Sequence, residues 1–160
     1  MRVLLIDDDT HIRSGLRRLL VAKYRADVAE AADGVVGLQH LLVSPCDLVL
    51  LDLHMRTMDG MDTLKAIRRS PKHGSTPVFM LTGDSDEAVV ANAVALGVEG
   101  FLIKPVDATI LFERIDAALA RVAKETLNDG ADANVPILPT AAPKPVNRFL
   151  SDCVKIRLKA

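Results

Sequence analysis

Four short apolar runs punctuate the chain: Val3-Leu4-Leu5-Ile6, Leu48-Val49-Leu50-Leu51, Val78-Phe79-Met80-Leu81 and Phe101-Leu102-Ile103. Runs of this length read as strands buried on both faces. Residues 46–51 are taken as the central one. Between them the apolar period lengthens to that of a helix. Ile12, Leu16, Leu19 and Leu20 share one helix face, Leu38, Leu41 and Leu42 mark a second helix ending near Ser44-Pro45, and Leu64 and Ile67 mark a third. A fourth helix ends at Gly97, with Asp84, Ser85 and Asp86 as cap-type residues before it. A long fifth helix runs from about Asp107 to Leu127. Residues 28–31 are a weaker strand candidate, followed by an Ala32-Asp33-Gly34 turn. Asp59-Gly60 makes another turn, and Asp59 is placed to cap the helix after it. Strands separated by such helices predict parallel βαβ units and a doubly wound α/β sheet.

The pattern breaks after residue 127. Residues 128–146 carry Pro136, Pro139, Pro143 and Pro145 among small and polar residues and read as a linker. In residues 147–160, Val154-Lys155-Ile156-Arg157-Leu158-Lys159 alternates apolar and basic, which is strand periodicity. The predicted organisation is a domain over residues 1–127, a Pro/Ala-rich linker over 128–146 and a tail over 147–160. The helix at residues 88–96 has almost no polar face, so a cover is expected for it, and the tail's apolar side is a candidate.

Composition narrows the function classes. A net charge of −1 gives no field that would draw the chain to nucleic acid or anionic lipid. Aromatics at 3% leave little for base stacking. Cys46 and Cys153 form no CxxC pair, so both read as reduced thiols. No signal segment and no apolar run of membrane-spanning length is found, which predicts a cytoplasmic protein. Gly-rich nucleotide loops are absent. His11, His40 and His73 lack ligand spacing and are expected at the surface, as is the arginine-bearing face of the first helix.

What ends the strands carries the chemistry. The first run stops at Asp7, Asp8 and Asp9, the second at Asp52, the third at Thr82 and the fourth at Lys104-Pro105. In a parallel sheet these ends converge on one rim, where open α/β sheets bind ligands. Clustered carboxylates repel one another unless a cation lies between them. A carboxylate can accept a phosphoryl group, a divalent cation and a lysine can neutralise its charge, and a hydroxyl can bind another of its oxygens.

These motifs resemble the receiver domain of two-component response regulators. The resemblance runs from Val3 to about Ala123. It rests on Leu5-Ile6-Asp7-Asp8-Asp9 with Arg13 following, Leu51-Asp52-Leu53-His54-Met55 leading to Met58-Asp59-Gly60, Leu81-Thr82-Gly83, and Gly100-Phe101-Leu102-Ile103-Lys104-Pro105. It implies a five-stranded flavodoxin-like sheet of order 2-1-3-4-5. It implies Asp52 as phosphoacceptor, and Mg2+ held by Asp7, Asp8, Asp52 and the His54 backbone carbonyl. Thr82 and Lys104 become phosphoryl-sensing residues, Phe101 a switch aromatic, and Lys104-Pro105 a cis peptide. Implied partners are a sensor histidine kinase or histidine phosphotransfer protein and a downstream protein target. A homodimer through residues 85–127 or the tail is a further option, with no direct nucleic-acid or membrane partner. The chain would catalyse only its own phosphorylation and dephosphorylation. One departure stands out: family members usually carry proline where this chain has Arg56. Alternatives are a pseudo-receiver that binds without phosphorylation, or the front of a longer regulator. An Asp-nucleophile phosphatase wants a second acid two residues after the nucleophile, where this chain has His54.

Overall fold

The computed structural model describes residues 1–83 and 87–128. Strands and helices alternate: β1 (Arg2–Ile6), α1 (Thr10–Tyr24), β2 (Asp27–Ala31), α2 (Gly34–Val43), β3 (Leu48–Asp52), α3 (Gly60–Arg69), β4 (Val78–Thr82), α4 (Glu87–Ala95), β5 (Gly100–Ile103) and α5 (Ala108–Asn128). All pairings are parallel and the order is β2-β1-β3-β4-β5. The predicted doubly wound sheet is therefore observed. Readings on residues 84–86, and on the linker and tail beyond 128, lie outside the described residues.

The sheet separates two apolar layers. Val3, Leu5, Leu48, Leu50, Phe79, Leu81 and Leu102 pack on one face against Leu16 and Leu20 of α1 and Leu111 and Ile115 of α5. Leu4, Ile6, Val49, Leu51, Val78 and Met80 pack on the other against Leu41, Leu64, Ile67, Val90 and Val94 of α2, α3 and α4. Covering both faces explains why β1, β3 and β4 read as unbroken apolar runs. β2 is an edge strand with Asp27 and Glu30 in it, which is why its signal was weak. β3 starts two residues later than the expected 46, because the Asp47 carboxylate, not a carbonyl, accepts the Arg2 N–H at 2.7 Å.

Helix starts follow their capping acids. Asp9 accepts from the His11 and Ile12 N–H groups, Asp33 from Val36, Asp59 from Asp62, and Asp107 from Thr109 and Ile110. α4 ends where Gly97 takes φ +74°, with Gly97 N–H donating to Val94 O and Val98 N–H to Ala93 O. This left-handed cap suits a residue without Cβ.

One expectation needs correction here. His73 is buried rather than at the surface, with Nε2 2.8 Å from the Leu41 carbonyl oxygen. It ties the α3–β4 loop to α2. The outward face of α4 is Ala88, Ala91, Asn92 and Ala95, all exposed. Small alanines read as apolar but present little area; the tail offered as a cover for this face lies outside the described residues.

Candidate functional site

Alternation along the strands sorts the candidate residues between the two faces. Asp7, Asp52 and Lys104 continue the parity of Leu5, Leu50 and Leu102, the α1/α5 face. Thr82 continues the parity of Met80, the α2/α3/α4 face. Backbone bonds pin the rim: Asp7 N–H donates to Ala31 O at 3.2 Å, Leu53 N–H to Leu81 O at 3.0 Å, and Lys104 N–H to Thr82 O at 2.7 Å. The Lys104-Pro105 peptide is cis, as the resemblance implied.

The centre of the site is one ammonium between two carboxylates. Lys104 Nζ lies 2.8 Å from Asp7 Oδ2 and 2.9 Å from Asp52 Oδ1. Both acids are buried, at 1% and 4% exposure. Burial pushes the Asp52 carboxyl up from the usual carboxylate range and the neighbouring Asp7 charge adds to it, against the lowering hydrogen bonds from Lys104 and the His54 N–H. Burial alone would pull Lys104 down, but its bonds to the two carboxylates prevail and hold it above the ordinary lysine value. Asp7 Oδ1 accepts the Asp9 N–H at 2.8 Å. Asp7 Oδ2, though near Lys104, receives no aligned hydrogen bond.

Carboxylate oxygens of Asp7, Asp8 and Asp52 lie within 4.8 Å of one another. Three hard oxygen donors, one of them a buried oxygen lacking an aligned donor, fit a small divalent cation such as Mg2+. Asp8 is the exposed member of the three. His54 is exposed on the loop after β3. Thr82 is buried at the end of β4, one strand over from Asp52. Phe101 sits opposite Met80 in the ladder and is half-buried against the α4 layer, on the same face as Thr82. The structure thus brings Asp7, Asp8, Asp52 and Lys104 together, with Thr82 at the adjoining strand end and Phe101 farther along the neighbouring strand.

Arg13 corrects the reading of α1's arginines as a solvated face. Its guanidinium donates to the Asp7 carbonyl and to Thr10 Oγ1, and Nε lies 3.4 Å from Glu30. It holds the backbone that carries the acid pair. The signal was its position four residues after the capping Asp9, on the face that returns to the rim. Arg17 is an exposed partner of the same Glu30. Arg56, the departure from the family pattern, places Nε 3.7 Å from Asp8 Oδ2.

The model of the response regulator receiver domain matches residues 3–116. The chain is 32% identical over 122 residues to "Chemotaxis protein CheY" of Pseudomonas aeruginosa, covering 76% of this chain and 98% of that one. It is 31% identical over 119 residues to "Transcriptional regulatory protein YdfI" of Bacillus subtilis, covering 74% of this chain and 54% of that longer one. Among solved structures it is similar to a CheY-like receiver domain protein of Methanospirillum hungatei, with TM-score 0.73, 26% identity, and 78% and 97% of the two chains covered. It is also similar to chemotaxis protein CheY4 of Vibrio cholerae, with TM-score 0.66, 30% identity, and 76% and 97% covered.

Proposed function

Because the chain belongs to the response regulator receiver family of two-component signalling, we propose that Asp52 accepts a phosphoryl group from the phosphohistidine of a sensor kinase or histidine phosphotransfer protein. The observation that carries this reading is the Lys104 ammonium shared between the buried Asp7 and Asp52. An Asp52 carboxylate oxygen attacks phosphorus, the phosphorus–nitrogen bond of the donor breaks, and the imidazole leaves with the bonding electrons. The product is an acyl phosphate on Asp52. Asp7, Asp8, Asp52 and the His54 carbonyl would hold Mg2+, which supplies neutralisation of the phosphoryl oxygens when bound. Lys104 moves its pairing from the Asp52 carboxylate to a phosphoryl oxygen, and the Thr82 hydroxyl donates to another. These steps are positioning and charge neutralisation, and they turn over only the protein's own phosphoryl group.

The output is a change of surface. Drawing Thr82 toward the phosphoryl group frees space on the face that Phe101 shares, and Phe101 turns inward as α4, β5 and α5 repack. That face then binds a downstream protein or a second copy of the chain. The chain works in the cytoplasm, in keeping with the fact that no helix among the described residues is long and apolar enough to cross a membrane. A second reading, the front of a longer regulator, is favoured by the relative of which this chain spans 54%. The test is incubation with a small-molecule phosphodonor and Mg2+, read by intact mass. Wild type gains one phosphoryl group. Asp52→Ala gains none, and chelation of the metal suppresses labelling. Labelling of Asp52→Ala at the wild-type level overturns Asp52 as the acceptor, and wild type that gains no phosphoryl group leaves a pseudo-receiver as the reading.

A further inference from the structure

Lys104 serves two of the three acids, Asp7 and Asp52. The third, Asp8, makes no side-chain hydrogen bond among the described residues. Its cationic neighbour is Arg56, with Nε at 3.7 Å. Asp8, Asp9, Ala32, Asp33, Arg56 and Thr57 line one open cleft of about 450 Å3 beside the acid cluster. Asp9 and Asp33 also carry charge into this cleft, but both are committed to helix caps, Asp9 at the start of α1 and Asp33 at the start of α2. Asp8 is therefore the acid there without another hydrogen-bonded duty.

Arg56 is held by its loop rather than by its own contacts. Met55 before it is buried in the α2/α3/α4 layer. The loop closes where Gly60 N–H donates to Leu53 O at 2.9 Å. With those two points pinned, residue 56 is carried at the mouth of the cleft. Its side chain is 95% exposed, so it can swing away from Asp8 without breaking any packing.

We propose that Arg56 is a resident counter-ion that competes with the divalent cation for Asp8. In the metal-free protein the guanidinium offsets the Asp8 charge, as Lys104 offsets the other two. For the cation to enter, Arg56 must give up Asp8 and move toward solvent. Its charge then sets the cation concentration at which the site fills. This rests on the Mg2+ reading above. It assigns a specificity role to a residue at a position where the family usually has proline, which carries no charge to compete.

The pair is exposed, so its effect is small and sensitive to salt. The experiment is a MgCl2 titration of wild type, Arg56→Gln and Arg56→Lys at low ionic strength, followed by the backbone amide shifts of Asp8, Asp9 and Leu53. Superposable spectra without metal establish that the variants are folded. Arg56→Gln should bind Mg2+ about two- to fivefold more tightly than wild type, the range available to an exposed ion pair. Arg56→Lys should stay near wild type. At about 1 M monovalent salt, where the screening length falls to about 3 Å, the difference should close. Equal or weaker Mg2+ affinity in Arg56→Gln at low salt overturns the proposal. Absence of any Mg2+-dependent shift in all three proteins instead overturns the metal reading on which it rests.

Discussion

Gly60, the first residue of α3, presses against Asp52: a Cβ on Gly60 would stand 2.2 Å from the Asp52 carbonyl oxygen and 2.8 Å from the Leu53 Cα. The obstacle is backbone, so it cannot be relieved by turning a side chain. Gly60→Ala must push α3 or the end of β3 aside. The expected cost is about 1–3 kcal/mol, as for other overpacked sites. The displacement falls on the acceptor, so phosphodonor labelling should slow by more than the loss of folded protein explains. Urea unfolding and initial labelling rates, measured on the same preparation, check both.

Asp52 makes stability depend on pH in a direction set by its burial. Its carboxyl holds its proton more readily in the fold than in the unfolded chain, because burial disfavours the charge. The folded protein then binds more protons than the unfolded one between the usual carboxylate range and the raised value. Stability therefore falls as pH rises through that window and carries no such penalty below it. In metal-free buffer Asp52→Asn should melt above wild type at neutral pH, with the gap narrowing on acidification. Thermal melts from about pH 8 down to about pH 4 follow the gap. A constant difference across the range would count against burial as its origin.

Arg68 is a cap for an element it does not belong to. From α3, its Nε donates to Leu96 O at 3.1 Å, its Nη2 to Gly97 O at 2.9 Å and its Nη1 to Thr76 O at 3.0 Å. Burial pulls its guanidinium down from the ordinary value, opposed by the Glu99 charge. Arg68→Met leaves three carbonyls without these donors and should cost about 1–3 kcal/mol. The loss is local, so hydrogen exchange at Gly97 and Val98 should quicken more than exchange in β1. Arg68→Lys should recover only part, since one ammonium cannot reproduce the fork.

Tyr24 is the chain's single tyrosine. Its hydroxyl donates to Asp116 Oδ1 at 2.9 Å and its ring meets Phe112 edge-on at 5.7 Å, joining α1 to α5. Burial, then the Asp116 carboxylate, push the phenol above its ordinary value. The unfolded chain thus loses this proton first, and stability declines as pH rises past the usual tyrosine range. Ultraviolet titration should show phenolate appearing later in the folded than in the unfolded protein. Tyr24→Phe should cost about 0.5–1.5 kcal/mol at neutral pH and flatten the alkaline decline.

The strands and the rim were legible because burial on both faces erases polar residues from β1, β3 and β4, so an acid or a lysine stands out where each run stops. Asp59 was legible as a cap for the same reason: it is a short polar residue at a helix boundary. Arg68 and His73 were not, and Arg13 stood out only through its place after the acid run. Each bonds backbone carbonyls or residues brought near by other elements, and a carbonyl has no residue type by which a sequence announces it. Hydropathy overstates the apolar character of α4, because it counts an alanine as apolar without counting how little surface it exposes. Residues 129–160, the rest of the expected linker and the tail, rest on pattern alone.

Lys104 follows β5, the outer strand, yet its ammonium reaches past the end of β4 to acids at the ends of β1 and β3. It is a strap across the sheet as well as a counter-ion. Loosening β5 removes positive charge from the two central acids, and adding negative charge at those acids tightens the strap. Such coupling runs equally in both directions. Whatever loosens or steadies β5 is therefore felt at the acids from the far side of β4, without entering their cleft.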